Sequence, residues 1–173
     1  LRGDRFVLRS YSPVRTIGGG TILHPFPGKH KRQEKRKAAV ALKELLLANE
    51  PDAALWHVLH SGPGGITEEE LRVRANIPPK SLDKILQQFT SQKRVIVVDK
   101  DNRRLIHPDV LQELKGTVLE ALTEFHTQFP LKTGMAKEEL SARLPRSVDT
   151  RLYNFILRQL AEQDLVVQEM EWV

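Results

Sequence analysis

Several things are missing from these 173 residues, and each absence narrows the reading. There is no cysteine, which excludes disulfides and thiolate metal sites and suits a cytosolic protein. No apolar run approaches the 18 residues of a membrane span, and the N-terminus has no secretory pattern, so a cytoplasmic chain without membrane contact is expected. A phosphate-binding P-loop is missing too. Gly18-Gly19-Gly20 lacks the following Gly-Lys-Ser/Thr, and Gly28-Lys29 runs into His30. His57 and His60 stand three apart beside Trp56, but no nearby Asp or Cys completes a metal site. Neither a catalytic residue nor a metal or cofactor site is therefore expected within this segment. The chain opens on Leu1-Arg2 without a Met, which reads as a fragment of a longer parent.

What is present is a repeat. Gly65-Ile66-Thr67-Glu68-Glu69-Glu70-Leu71 returns 69 positions later as Gly134-Met135-Ala136-Lys137-Glu138-Glu139-Leu140. Ile85-Leu86-Gln87-Gln88-Phe89 returns 71 positions later as Ile156-Leu157-Arg158-Gln159-Leu160. A period of about 70 suits a small domain with its own core better than a solenoid unit.

Both copies carry the same pattern: a long helix, a short acidic-capped helix, a third helix, then a β-branched run. In the first copy Thr67 is placed to cap, with Glu70 three residues on, and Asn76-Ile77-Pro78-Pro79 ends that helix. Leu82, Ile85, Leu86 and Phe89 share one face of the third helix, which begins near Lys80. Residues 95–98 and 103–106, around an Asp/Asn turn at 99–102, read as a β-hairpin. This order is the winged-helix form of helix-turn-helix. In the second copy the third helix spans 152–160, Leu165-Val166-Val167 is read as a strand, and Glu171-Trp172-Val173 as a closing strand cut short. Trp56 and Trp172 are assigned to core and inter-module packing. The expected class is mainly α with β, in three segments: 1–25, 26–107 and 108–173.

Charge is unevenly divided. Residues 1–37 hold 10 Lys/Arg against 2 Asp/Glu, or +8; residues 38–107 hold 10 against 9, or +1; residues 108–173 hold 7 against 11, or −4. The densest run, Lys29-His30-Lys31-Arg32-Gln33-Glu34-Lys35-Arg36-Lys37, puts positive charge at the unfavourable end of a helix dipole, which points toward RNA phosphates. A solvated helix face is the plainer alternative. The third helix of copy one adds Lys80 and Lys84, and its hairpin adds Lys93, Arg94, Lys100, Arg103 and Arg104, offset by Asp99 and Asp101. Copy two offers Arg146, Arg151 and Arg158 on an acidic module. The RNA-contact candidates are thus Lys29, Lys31, Arg32, Lys35, Arg36, Lys37, Lys80, Lys84, Lys93, Arg94, Arg103 and Arg104. Rigid spacers or docking surfaces are the favoured roles for both modules. With no Gly/Ser linker at His107-Pro108-Asp109, the two should form one stiff body.

The first 25 residues differ in kind. Residues 6–9 and 16–23 read as strands around a Ser12-Pro13 turn, the second interrupted by glycines. Gly3-Asp4-Arg5-Phe6-Val7-Leu8-Arg9 with Arg15-Thr16-Ile17-Gly18-Gly19-Gly20-Thr21-Ile22 resembles the closing strands of the third domain of elongation-factor-Tu-like GTPases. Such a barrel end followed by tandem winged helices resembles the bacterial selenocysteine-specific elongation factor family, SelB, whose arm carries four winged-helix modules. The resemblance implies that GTP and Mg bind in upstream parent domains. It implies delivery of selenocysteyl-tRNA to the ribosome at UGA, a selenoprotein mRNA hairpin held mainly by later modules, and a monomer. A tandem winged-helix DNA-binding regulator and a protein–protein scaffold are the alternatives. Strands taken from a barrel expose unpaired backbone, and must dock on the first module, pair with another chain or stay mobile.

Overall fold

A computed structural model describes residues 1–29, 31–99 and 101–173; His30 of the basic run and Lys100 of the hairpin turn lie outside the described residues. The chain divides into two compact units, Leu1–His57 with Glu68–Gln88, and Val58–Thr67 with Phe89–Val173. No helix among the described residues is long and apolar enough to cross a membrane.

The first unit begins with a two-stranded antiparallel hairpin, β1 (Arg5–Ser10) and β2 (Arg15–Thr21), paired Phe6 to Gly20 and Leu8 to Gly18. The register shifts between Leu8 and Arg9, the irregularity that glycine within a strand leads one to expect. Both faces are open, with Val7, Leu8, Tyr11 and Ile17 exposed.

The hairpin is fastened to the helices that follow. α1 (Lys35–Leu47) ends at Ala48, and the Arg2 guanidinium donates to the carbonyls of Leu45 (3.2 Å) and Ala48 (2.9 Å). Those are terminal carbonyls with no helical partner, and a cation there also meets the negative end of the dipole. Asn76 Nδ2 in turn donates to the Arg2 carbonyl at 2.9 Å. Of the three fates open to these strands, the structure shows a tie to the neighbouring helices through Arg2 just ahead of β1, while both faces of the strands stay exposed.

The single long helix expected at the head of copy one is two helices, α1 and α2 (Glu50–Leu59). The physical reason is local. Asn49 accepts from the Asp52 amide at 2.9 Å and Pro51 sits in the first turn, so the chain caps and restarts. Copy two lacks Asn-Glu-Pro at the matching point, and α5 (Pro108–Gln128) runs unbroken for 21 residues from its His107 cap. The acidic motif opens α3 (Glu68–Ala75), which stops at Asn76 in the left-handed region, φ 55°. The chain leaves α3 before Asn76-Ile77-Pro78-Pro79, as expected, and Pro79 opens α4 (Pro79–Ser91), where a ring without an N–H is tolerated. Leu82, Ile85, Leu86 and Phe89 are buried along it as periodicity requires.

The second unit holds the three-stranded sheet β3 (Ile66–Thr67), β5 (Arg104–Ile106) and β4 (Ile96–Asp99), with β5 central and all neighbours antiparallel. It continues through α5, α6 (Lys137–Ala142) and α7 (Thr150–Ala161). One apolar cluster joins Ile106 to Leu111, Leu114, Val118, Met135, Leu140, Leu152, Ile156 and Leu160, with Ile96, Val98 and Val166 packed against it.

The repeat in sequence is a repeat in backbone detail. Lys93 and Asp164, 71 apart, are both left-handed (φ 57° and 54°), and Arg94 and Leu165 amides bond back to Phe89 and Leu160. Ile66 pairs with Leu105, and Met135 exchanges both backbone hydrogen bonds with Val173. A Cβ on Gly65 would sit 2.5 Å from the Leu105 carbonyl, and one on Gly134 would sit 2.7 Å from that of Val173. Both copies keep glycine because the closing strand runs directly over that Cα.

Two expectations for copy two fail. Residues 165–167 form no strand; Leu165 and Val167 are exposed and only Val166 turns toward the core. The second wing makes a tight turn, Glu169 to Trp172, and pairs only its last residues with 135–137, leaving 165–167 without a neighbouring ladder. Trp172 is 52 % exposed rather than packed, whereas Trp56 is half-buried.

Candidate nucleic-acid interface

The basic run is only partly helical. α1 starts at Lys35, so Lys29, Lys31 and Arg32 lie ahead of it in extended and turn backbone, and Lys35, Arg36 and Lys37 form its first turn. All six side chains are exposed, and no described carboxylate forms an ion pair with them. The first turn contains no acid, and Glu34, at the cap position, uses its carboxylate to accept from the Lys31 amide at 3.2 Å. The result is six cations within nine residues, unneutralised, at a helix end whose dipole repels them. Such a site favours a polyanion, because each phosphate engaged releases condensed counterions.

The remaining candidates separate. Lys80 and Lys84 are exposed on α4, away from its buried Leu82, Ile85 and Phe89. Lys93 and Arg94 are exposed just after α4, with the Arg94 guanidinium 4.8 Å over the Phe89 ring. Arg103 is exposed at the hairpin turn with φ 43°. Arg104 departs from its expected role. It points into the second unit, where its guanidinium meets the Asp149 carboxylate at 2.8 Å and the Gly64 carbonyl at 3.5 Å.

Copy two's cations are also divided. Arg146 and Arg158 are exposed, but Arg151 lies 2.5 Å from Asp99 and 3.5 Å from Asp101. The Arg151 hydrogen bond is the largest cause holding the Asp99 carboxyl below its ordinary value, opposed by desolvation and helped by the amides of Asp101 and Asn102. The same carboxylate raises the Arg151 guanidinium further. Fifty-two positions separate the pair, so no local pattern announced it. The Arg2 contacts were equally illegible. Asp149 was findable in principle, as an Asp directly ahead of a helix; it caps α7, accepting from the Leu152 amide at 2.9 Å.

The histidines hold other posts. His57 is buried in α2, its ring 5.0 Å from that of His24 and 5.2 Å from that of Trp56, while His60 lies past the helix end. His107 caps α5, accepting from the Asp109 amide at 3.2 Å. Among the described residues no group of three His, Cys, Asp or Glu is placed to hold a metal ion.

Comparison with known proteins identifies a winged helix in the second copy. A family model described as the winged helix of elongation factor SelB matches residues 119–173. A selenocysteine-specific elongation factor of Desulfomicrobium baculatum is 32 % identical over 169 residues, which is 98 % of this chain and 26 % of that protein. The chain thus spans about a quarter of the length of that relative. The chain belongs to the selenocysteine-specific elongation factor family, SelB.

Proposed function

We propose that this chain is the segment of the factor's arm that joins Tu-like GTPase domains to mRNA-hairpin-binding modules during recoding of UGA. The observation that carries the reading is the seating of the Tu-like hairpin on the first helices through Arg2, with Asn76 holding the Arg2 carbonyl. An arm that transmits position needs its first joint tied rather than tethered by a flexible linker. The parent factor binds GTP and Mg through domains outside this chain, and with them selenocysteyl-tRNA. The segment itself carries no catalytic step and works in the cytoplasm. Lys29, Lys31, Arg32, Lys35, Arg36 and Lys37 contact RNA phosphates, on the ribosome or the mRNA, supported by Lys80 and Lys84.

The test is Lys31, Arg32, Lys35 and Arg36 all changed to Gln in the full-length factor. Ribosome or RNA association is expected to weaken, and the slope of log affinity against log salt to become shallower by roughly 0.7–0.9 for each phosphate no longer engaged. Unfolding temperature should stay level or rise, because the cations oppose the α1 dipole. Unchanged association with a higher unfolding temperature would reduce the run to a solvated face.

A further inference from the structure

In helix-turn-helix modules the N-terminal residues of the third helix reach the base edges. In copy two that helix is α7, and the exposed charged side chains of its N-terminal turn are paired with the wing of copy one. Arg151 is held by Asp99 and Asp101 on one side, and the capping residue Asp149 holds Arg104 on the other. Beneath these pairs the contact is apolar. Ile106 of the wing belongs to the copy-two core, fully buried, and Ile96 and Val98 pack against it. Asp99 is itself only 7 % exposed.

We propose that the first wing is a protein-docking element whose partner is the α7 helix of the second copy, and that this contact removes α7 from nucleic-acid recognition. Three observations converge. At the wing tip Asp99 and Asp101 accept from Arg151 of copy two, so these two carboxylates are committed to a protein partner, and they offset the charge of the exposed Arg103 beside them. Ile106 is buried within the copy-two core, and Ile96 and Val98 are partly buried against it. Copy two carries a net charge of −4, from 7 Lys/Arg against 11 Asp/Glu over residues 108–173, which repels a phosphate backbone. Asn154 and Arg158 face solvent on α7, and so does the turn that would enter a groove first, but its cation, Arg151, is already paired with the wing. RNA contact by this chain is thereby left to the exposed basic residues outside copy two.

Two measurements on the 173-residue chain test this, and only the second rests on the RNA reading above. In the first, Asp99→Arg and Arg151→Asp are each expected to lower the urea midpoint of unfolding, and the double exchange to recover most of the loss. No recovery would overturn the pairing. In the second, Arg151→Gln is titrated with a fluorescently labelled RNA hairpin at ~100 mM salt, where charges about 10 Å apart still interact. Affinity is expected to stay within about twofold of the parent and the salt slope to stay the same, while the midpoint falls. Weaker binding with a slope shallower by roughly 0.7–0.9, the signature of one phosphate fewer engaged, at an unchanged midpoint would overturn the proposal. A parent chain that binds no RNA would sink the RNA reading instead, and the charge exchange would then decide the docking element alone.

Discussion

At the scale of single residues, the most constrained positions are those where another backbone passes close by. Gly65 combines φ 66° with a carbonyl 2.5 Å from the absent Cβ, and Gly134 meets the equivalent carbonyl at 2.7 Å. Gly65→Ala should destabilise the chain by ~1–3 kcal/mol, the scale of a forced backbone conformation, and Gly134→Ala should separate Met135 from Val173. Urea denaturation reads both, and an unchanged midpoint for Gly65→Ala would contradict the strand geometry. Tyr153 gives a second test. Burial, aided by the Glu138 carboxylate, pushes its phenol up to about 12, and the hydroxyl donates to the Lys137 carbonyl at 2.9 Å. A raised value means that the fold favours the neutral phenol. Its contribution is complete below pH ~10, the ordinary tyrosine value, and disappears as pH rises toward the folded value. Stability measured across this alkaline window should fall in the parent chain and fall less in Tyr153→Phe.

At the scale of elements, capping and pairing explain most of what the sequence displayed and what it hid. The 3.6-residue spacing of Leu82, Ile85, Leu86 and Phe89 was legible because a helix face depends on near neighbours. The break between α1 and α2 was legible too in Asn49-Glu50-Pro51, yet the apolar run across it reads as continuous. The Arg2 contact was not, since it joins residues more than 40 positions apart. Arg2→Ala should cost about 1.5–3 kcal/mol, the range for hydrogen bonds from a charged donor, and hydrogen exchange should quicken in the last turn of α1. Slowed or unchanged exchange there would show that the cap contributes nothing. The Asp99–Arg151 pair makes an acid prediction. The folded Asp99 carboxyl titrates below its ordinary 3.8, so the pair stabilises fully above that value and fades as pH falls through the lower folded one. Asp99→Asn should therefore show a flatter loss of stability below pH ~4, the unfolded carboxylate range, and an acid limb as steep as the parent's would count against the pair.

At the scale of the whole molecule, the wing of copy one and the body of copy two share a core, although the repeat in sequence assigns them to different copies. NMR relaxation should give amides of β4–β5 the same rotational correlation time as those of α5 and α7, and distinct times would break that shared core. The charge division has its own consequence. Trypsin should cut first at Lys29, Lys31 or Arg32, which are exposed and outside any helix, and bound RNA should slow that cleavage. Cleavage first within copy two would run against this exposure.

The repeat, the helix faces, the uneven charge and the N-terminal hairpin were all legible in one dimension, because each depends on residues near one another in the chain or on a pattern repeated along it. The tertiary structure alone decided which cations remain outside. Arg104 and Arg151 read as free surface charges in one dimension, yet each is paired with a carboxylate brought from the other copy, Arg104 largely covered and Arg151 still exposed. It also decided that one copy's wing closes over the next copy's helix, since burial of Ile96, Val98 and Ile106 is set by a surface whose position no spacing encodes.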